Sequence, residues 1–214
     1  MLQITVRTFL RLVGLSVSRL FVNSEGDDTS RLLAIDQKLQ DGEFENVIVE
    51  ATSYVRDYPQ SFQGYLLLGW ANVRIDKLDH AAECFDKALA IEPKADNAFV
   101  GKGVVYNRKG DLANARKSYH AAIKLVPDNP QAFSSLVVIE LMEGNDSKAV
   151  EYGKRAWALQ NDDPSIAANL AIAYHYAGDI PRRDEYCAHA KRLRYRNLSG
   201  LQDIFNGKIS LRKP

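Results

Sequence analysis

Cysteine and histidine are the side chains best suited to nucleophilic catalysis or metal binding, and this sequence has two cysteines and four histidines. His80 and Cys84 stand four residues apart, a spacing that places both on one face of a helix, where they could share a metal ion. Cys187 and His189 are two residues apart and would diverge on a helix. A zinc site needs further ligands, and the neighbourhood of His80 supplies none. We therefore predict no metal site.

Patterns that indicate catalysis or cofactor binding are missing from the sequence. There is no GxSxG motif, no Cys–His signature of a nucleophilic enzyme and no glycine-rich phosphate loop. Gly101 and Gly103 lie inside a helical pattern rather than in a loop. We predict that the protein is not an enzyme, has no catalytic residue and uses no cofactor. Two cysteines also exclude a disulfide scaffold and suit a reducing compartment.

Composition and charge narrow the function classes further. The chain has 214 residues, is 46% hydrophobic and carries a net charge of +1. These values exclude general disorder and a surface that binds polyanions over its whole area. The charge is uneven, because residues 24–61 carry −6 and residues 182–214 carry +6. Two interpretations stay open: a solvated surface with unlike ends, or one end that meets a charged partner.

The first 27 residues form a segment of their own. Residues 1–23 contain three arginines and no acid, and Arg11 and Arg19 interrupt the apolar stretch that a membrane span would need. An amphipathic helix, a transit peptide and an appended cap on the fold all fit this pattern. The sequence favours a cytoplasmic protein, with membrane association, or targeting to an organelle or for export, through residues 1–23 as the alternative.

A shift of 34 residues aligns the chain with itself. Small residues, turn glycines and prolines recur at this interval, and Pro130 and Pro164 each follow a helix N-cap residue. The recurring sets are Gly69 with Gly103; Ala81 with Ala115 and Ala149; Ala88 with Ala122, Ala156 and Ala190; and Gly110 with Gly144 and Gly178. Each unit therefore predicts two amphipathic helices joined by a glycine-containing turn, with small residues where two helices approach closely.

These positions resemble the tetratricopeptide repeat family. In the best unit, 96–129, the family pattern is met by Phe99, Gly103, Tyr106, Ala115 and Tyr119 among others, while Lys102 stands where the family has Leu. The units are 28–61, which is divergent, 62–95, 96–129, 130–163 and 164–197, followed by a capping tail at 198–214. The resemblance implies an all-α fold, a right-handed α-solenoid of stacked helix–turn–helix repeats with capping helices at both ends.

The resemblance also implies a concave groove lined by the first helix of each repeat. At the fifth and ninth positions of the units, seven of eight residues are apolar: Leu66, Trp70, Val100, Val104, Ser134, Val138, Ala168 and Ile172. The rim includes Arg74, Asn107, Arg108, His175 and Tyr176. Family members that bind C-terminal carboxylates place Lys, Asn and Arg at lining positions, so we expect no carboxylate-clamp ligand here. Trp70 is the candidate anchor for an apolar partner.

The sequence thus predicts a non-enzymatic protein-interaction module, an adaptor or chaperone-like factor that binds an apolar or amphipathic peptide or helix in its groove. One alternative is an assembly scaffold held at a membrane by residues 1–23. Another is nucleic-acid binding through the basic run 191–196, which a charge cluster at a helix end explains more simply. The N-terminal segment could also fill the groove, in the same chain or in a homo-oligomer.

Overall fold

The computed structural model of the chain describes residues 29–212, and this part contains helices and no strands. Its helices are α1 (Thr29–Asp41), α2 (Phe44–Asp57), α3 (Phe62–Arg74), α4 (Leu78–Ile91), α5 (Asp96–Arg108), α6 (Leu112–Leu125), α7 (Pro130–Met142), α8 (Asp146–Leu159), α9 (Pro164–Tyr176), α10 (Ile180–Arg192) and α11 (Leu198–Phe205). The predicted all-α class is confirmed. The segment 1–27 lies outside the described residues, and no helix from 29 to 212 has the length and apolar character to cross a membrane.

Consecutive helices pack as pairs within two compact units. In the first unit, which ends at Leu125, α1 packs on α2, α3 on α4 and α5 on α6. In the second, which begins at Val126, α7 packs on α8 and α9 on α10. First helices of successive pairs also touch each other, α1 with α3, α3 with α5, and α7 with α9. The predicted stacking of helical repeats is confirmed.

The second helices of the pairs are apolar on one side, whereas the first helices α7 and α9 bury residues around most of their circumference. In α4 the fully buried residues Ala81, Phe85 and Ala88 follow one another at intervals of three or four, the period of a single helix face. The opposite face carries exposed charges such as Glu83 and Lys87. A single pair cannot cover this apolar face alone, so neighbouring pairs complete the core.

A residue with positive φ ends the first helix of each pair and turns the chain into the second. Gly42, Gly110, Gly144 and Gly178 have φ between 76° and 88°, and Asp76 takes the same place with φ 64°. After Gly110, the amide of the next residue, Asp111, donates to the carbonyl of Tyr106 at 2.9 Å. This bond closes a Schellman motif, which satisfies a carbonyl that the helix end leaves free. The glycine period of the sequence is therefore a period of left-handed turns.

Polar side chains cap the first helices of the later repeats at the same 34-residue interval. Asn129 accepts a hydrogen bond from the Ala132 amide at 2.8 Å, and Asp163 accepts one from the Ser165 amide at 2.7 Å. Asn197 caps α11 in the same register, with a 3.0 Å bond from the Gly200 amide. The chain therefore begins a further first helix after the last full repeat.

The C-terminal helix α11 packs on α9 and closes the core of the second unit. It buries Leu201, which joins an apolar cluster with residues of α7, α8, α9 and α10. Ser199 and Gln202 on the same helix are exposed. The predicted C-terminal capping helix is thus α11, apolar toward the repeats and polar outward.

Glycines of the first helices let aromatic rings of the second helices lie against the backbone. A β-carbon at Gly101 would stand 2.4 Å from Phe85 Cζ, and one at Gly69 would stand 2.7 Å from Phe85 Cε1. The Phe85 ring therefore packs against α3, α5 and its own helix at once. Larger residues at these glycines would separate the helices.

Candidate functional site

The thiol and imidazole groups do not assemble into a reactive centre within the described residues. Cys84 is buried, and burial raises the pKa of its thiol to about 11, while His80 on the same helix is exposed. A protonated thiol is a poor nucleophile and a poor metal ligand at neutral pH. From residue 29 to 212, no three His, Cys, Asp or Glu side chains are grouped closely enough to hold a metal ion.

In the compact unit that ends at Leu125, the fifth and ninth positions of repeats 62–95 and 96–129 differ in burial. Leu66 and Val100, at the fifth position, are 5% and 4% exposed and belong to the core. Trp70 and Val104, at the ninth position, are half-buried and pack against the same apolar cluster of α3, α4 and α5. The Trp70 ring meets Phe85 edge-on with ring centroids 5.4 Å apart. Of these four predicted lining residues, Trp70 and Val104 are therefore the two that are not buried.

The arginines on the rim of the first unit contact their own chain. The Arg74 guanidinium lies 5.1 Å from the centroid of the Phe44 ring, a cation–π geometry. Arg108 donates a hydrogen bond to the Val73 carbonyl and lies 3.1 Å from the Asp76 carboxylate. Asn107 is half-buried at the end of the same helix, α5. Both guanidinium groups thus have partners on the preceding repeat.

In the second unit, a polar pair joins the two first helices. The Asn169 amide donates to Ser134 Oγ at 2.9 Å, so Ser134, the one polar lining residue, is buried with its hydroxyl bonded. Val138 on α7 is half-buried, and Ile172 on α9 is buried. Asn169 was not among the predicted site residues, because its bond to Ser134 spans 35 residues and leaves no local pattern in the sequence.

The predicted rim residues His175 and Tyr176 are covered by the C-terminal part of the chain. The Tyr176 hydroxyl accepts a 2.9 Å hydrogen bond from the Leu211 amide, and the His175 ring lies 5.1 Å from the Phe205 ring. Burial lowers the pKa of His175, and the nearby Arg183 charge lowers it further. Both groups therefore lie at an intramolecular contact between α9 and the tail.

Known proteins share this arrangement of paired helices. A model of the tetratricopeptide repeat family matches residues 66–130 and again residues 100–164. Residues 66–164 of this chain are tetratricopeptide repeats. The solved structure of TTC0263, a tetratricopeptide repeat protein of Thermus thermophilus, superimposes with a TM-score of 0.72 over 84% of this chain and 97% of that one. Sequence identity with it is 19%, so this likeness concerns the fold alone.

Curated relatives match the repeats at somewhat higher identity. Photosystem I assembly protein Ycf3 of Rippkaea orientalis is 32% identical over 108 residues, 48% of this chain and 62% of that protein. Protein O-mannosyl-transferase TMTC1 of Mus musculus is 31% identical over 121 residues, 55% of this chain and 13% of that protein. The match spans less than two thirds of either relative, so their activities do not transfer directly. The fold of this tetratricopeptide repeat protein is that of a protein-interaction module.

The basic run at 191–196 of this tetratricopeptide repeat protein is split by its one aromatic residue. Tyr195 is half-buried against the core of the second unit, and burial raises the pKa of its phenol. Lys191, Arg192 and Arg194 are exposed around the end of α10. Because Tyr195 packs inward, its ring is not placed to stack on a base, the contact that single-stranded nucleic-acid binders use.

Proposed function

We propose that this protein is a non-enzymatic adaptor or chaperone-like factor that binds an apolar or amphipathic segment of a partner protein along α3 and α5. The observation that carries the proposal is the pair of half-buried apolar side chains, Trp70 and Val104, on first helices that touch each other. Both pack against one cluster, so their positions are fixed before any partner arrives. A rigid tryptophan on a preformed apolar surface is the usual composition of an interface hot spot.

The charges beside this surface support an apolar ligand over a carboxylate. Arg74 and Arg108, the guanidinium groups of the rim, already face Phe44 and Asp76. A ligand carboxylate would have to break these contacts before it gained new ones. Burying the apolar side chains of Trp70 and Val104 breaks no ion pair or hydrogen bond of theirs. Removing this apolar surface from water stabilises the complex by about 25 cal/mol per Å².

The biological role that fits such a surface is assembly of another protein. The relative in Rippkaea orientalis is named as an assembly protein for photosystem I. We propose that this chain likewise holds an apolar segment of a protein before that segment is buried in its final complex. Cys84 and Cys187 are free thiols, which fits action in the cytoplasm, a reducing compartment.

Photo-crosslinking in cells tests this proposal. A photoreactive residue in place of Arg74, which is exposed beside Trp70, should capture a defined segment of one partner. Mass spectrometry should identify the sequence of this segment, and its apolar residues should recur with the period of one helix face or form a continuous run. The matched control carries the same residue at Lys117, exposed on the second helix α6. Capture at position 74 should disappear when Trp70→Ala is added. Equal capture at both positions, or capture that survives Trp70→Ala, would overturn the proposal.

A further inference from the structure

After α11 the chain turns back to the repeats, where Leu211 and Arg212 contact two side chains of the second unit. Arg212 forms an ion pair with Asp146 at the start of α8. Its guanidinium carbon lies 4.6 Å from the centroid of the Tyr176 ring at the end of α9. The backbone amide of Leu211 donates to the Tyr176 hydroxyl at 2.9 Å. Asp146 and Tyr176 thus hold one arginine and the backbone amide of the residue before it.

These contacts together form a recognition pattern for an arginine in a non-helical segment. The carboxylate of Asp146 supplies charge, the ring of Tyr176 supplies a face for the planar guanidinium, and the phenol oxygen fixes the backbone. Leu211 packs on the apolar cluster beside Tyr176. Hence the pattern combines an apolar residue with the arginine that follows it.

The segment that links α11 to this contact is weakly attached. Ile209 is 48% exposed, and the bonds of Lys208 and Ile209 go back to Asp203 within the end of α11. Arg212 Nε is buried and has no hydrogen-bond partner among residues 29–212. A buried donor without a partner weakens the contact that contains it. The tail is therefore held mainly by its last two described residues, and imperfectly.

We propose that Asp146 and Tyr176 form a binding site for an arginine-containing, non-helical segment of a partner protein, and that Leu211 and Arg212 occupy it within the same chain. A partner with an apolar residue followed by arginine takes the site by displacing the tail. The inference rests on the proposed function only in assuming a protein ligand. It concerns the second unit and a charged contact, whereas the proposed apolar surface lies in the first unit.

A fluorescent peptide with the sequence of residues 206–214 tests the site directly on the full-length protein. In the wild type the tail competes at a high effective concentration, so the peptide should bind weakly. In the full-length Arg212→Ala variant the site is open, and the peptide should bind at least about tenfold more tightly. The matched control is Lys208→Ala, which removes a basic residue of the same tail that pairs with Asp203 instead. It should behave as the wild type does.

Two further measurements make the result decisive. A peptide with alanine at the position of Arg212 should not bind the Arg212→Ala protein, and adding Asp146→Asn to that protein should abolish binding of the original peptide. Equal binding to the wild type and to Arg212→Ala, or binding that ignores Asp146→Asn, would overturn the inference. Cross-linking at position 74 is independent of this outcome, so the two proposals fail separately.

Should Arg212→Ala fail to fold, hydrogen exchange on other full-length variants gives the answer. Tyr176→Phe removes the acceptor of the Leu211 amide and keeps the ring, so exchange at Leu211 should accelerate while exchange in α9 stays unchanged. Lys208→Ala again serves as the control and should leave Leu211 protected. Unchanged protection of Leu211 in Tyr176→Phe would show that this hydrogen bond does not hold the tail, and would refute the site.

Discussion

The ring of Tyr119 lies so close to the backbone of Gly103 that a β-carbon at Gly103 would stand 2.3 Å from Tyr119 Cε1. Tyr119 belongs to α6 and is only 1% exposed, so its ring is enclosed by the protein and cannot swing out into solvent. The separation between α5 and α6 is therefore set by a missing side chain on one helix and a large one on the other.

Gly103→Ala should destabilise the protein despite the higher helix propensity of alanine. The propensity gain is about 1 kcal/mol, while forcing a methyl group into a packed core costs about 1–3 kcal/mol. We expect a net loss of about 1 kcal/mol in the free energy of unfolding, measured by urea denaturation. In a Tyr119→Leu background the same change should be neutral or stabilising. An equal cost in both backgrounds would mean that the ring contact does not limit the approach of the helices.

The turn residues Gly110 and Asp76 should respond in opposite directions to exchange of their side chains. Gly110 has φ 81°, and apart from its two chain neighbours no described residue has an atom within 4 Å of the place of its β-carbon, so Gly110→Ala adds backbone strain alone. That strain costs about 1–2 kcal/mol. Asp76 already bears such strain at φ 64°. Asp76→Gly should raise stability by about 0.5 kcal/mol, after the loss of its exposed ion pair with Arg108 is deducted.

Thermal unfolding of both turn variants checks this pair. The melting temperature should fall for Gly110→Ala and rise slightly for Asp76→Gly. Asp76→Ala is the matched control, because it removes the ion pair and keeps a β-carbon at positive φ. A rise for Asp76→Ala equal to that for Asp76→Gly would assign the effect to the carboxylate and not to the backbone.

Cys84 should make the stability of the protein fall at high pH. Burial raises the pKa of its thiol from 9.0 to about 11 in the folded state, so folding favours the neutral thiol. This contribution is fully present below pH 9 and is lost as the pH rises to about 11, a difference of about 2–3 kcal/mol. Subtracting the stability of Cys84→Ala at each pH isolates this effect from the tyrosines that titrate nearby. A flat difference from pH 8 to about pH 11 would contradict the assignment.

Removal of the cap at Asp163 should loosen the start of α9. Its carboxylate accepts hydrogen bonds from the amides of Ser165 and Ile166, at 2.7 and 3.3 Å. Asp163→Ala should lower the free energy of unfolding by about 1 kcal/mol. Asp163→Asn retains an acceptor and should cost much less. Hydrogen exchange at Ser165 and Ile166 would show whether the loss occurs at this helix end.

The repeating part of the fold could be predicted from the sequence because the same residue types recur at equivalent positions of successive repeats. Gly103, Gly110 and Asp163 each recur in kind at a 34-residue interval, so the structural role inferred at one position applies to its equivalents in the other repeats. Asp76 has the left-handed backbone of its series without the glycine, and no periodicity could reveal this. The contact of Gly101 with Phe85 was also missed, since it appears once and depends on the neighbouring repeat.

Less of the candidate site than of the repeat fold could be predicted from the sequence. Helical spacing places the fifth and ninth positions on one face, but it does not say which of them the next repeat covers. The structure buries Leu66 and leaves Trp70 half-buried, a difference that arises from packing between helices. The contact of Arg212 with Tyr176 lies outside the repeat pattern altogether. Such unique contacts need the folded chain before they can be recognised.

The polar outer face of α11 has a consequence for how copies of this molecule meet. An array of like repeats can in principle continue from one molecule into the next, and a contact of that head-to-tail kind that does not close into a ring grows into a filament. Helix α11 occupies the place where such a continuation would start, with Leu201 turned inward and Ser199 and Gln202 exposed. A second copy docking on this face of α11 would have to dehydrate those polar groups, so the face opposes such a contact.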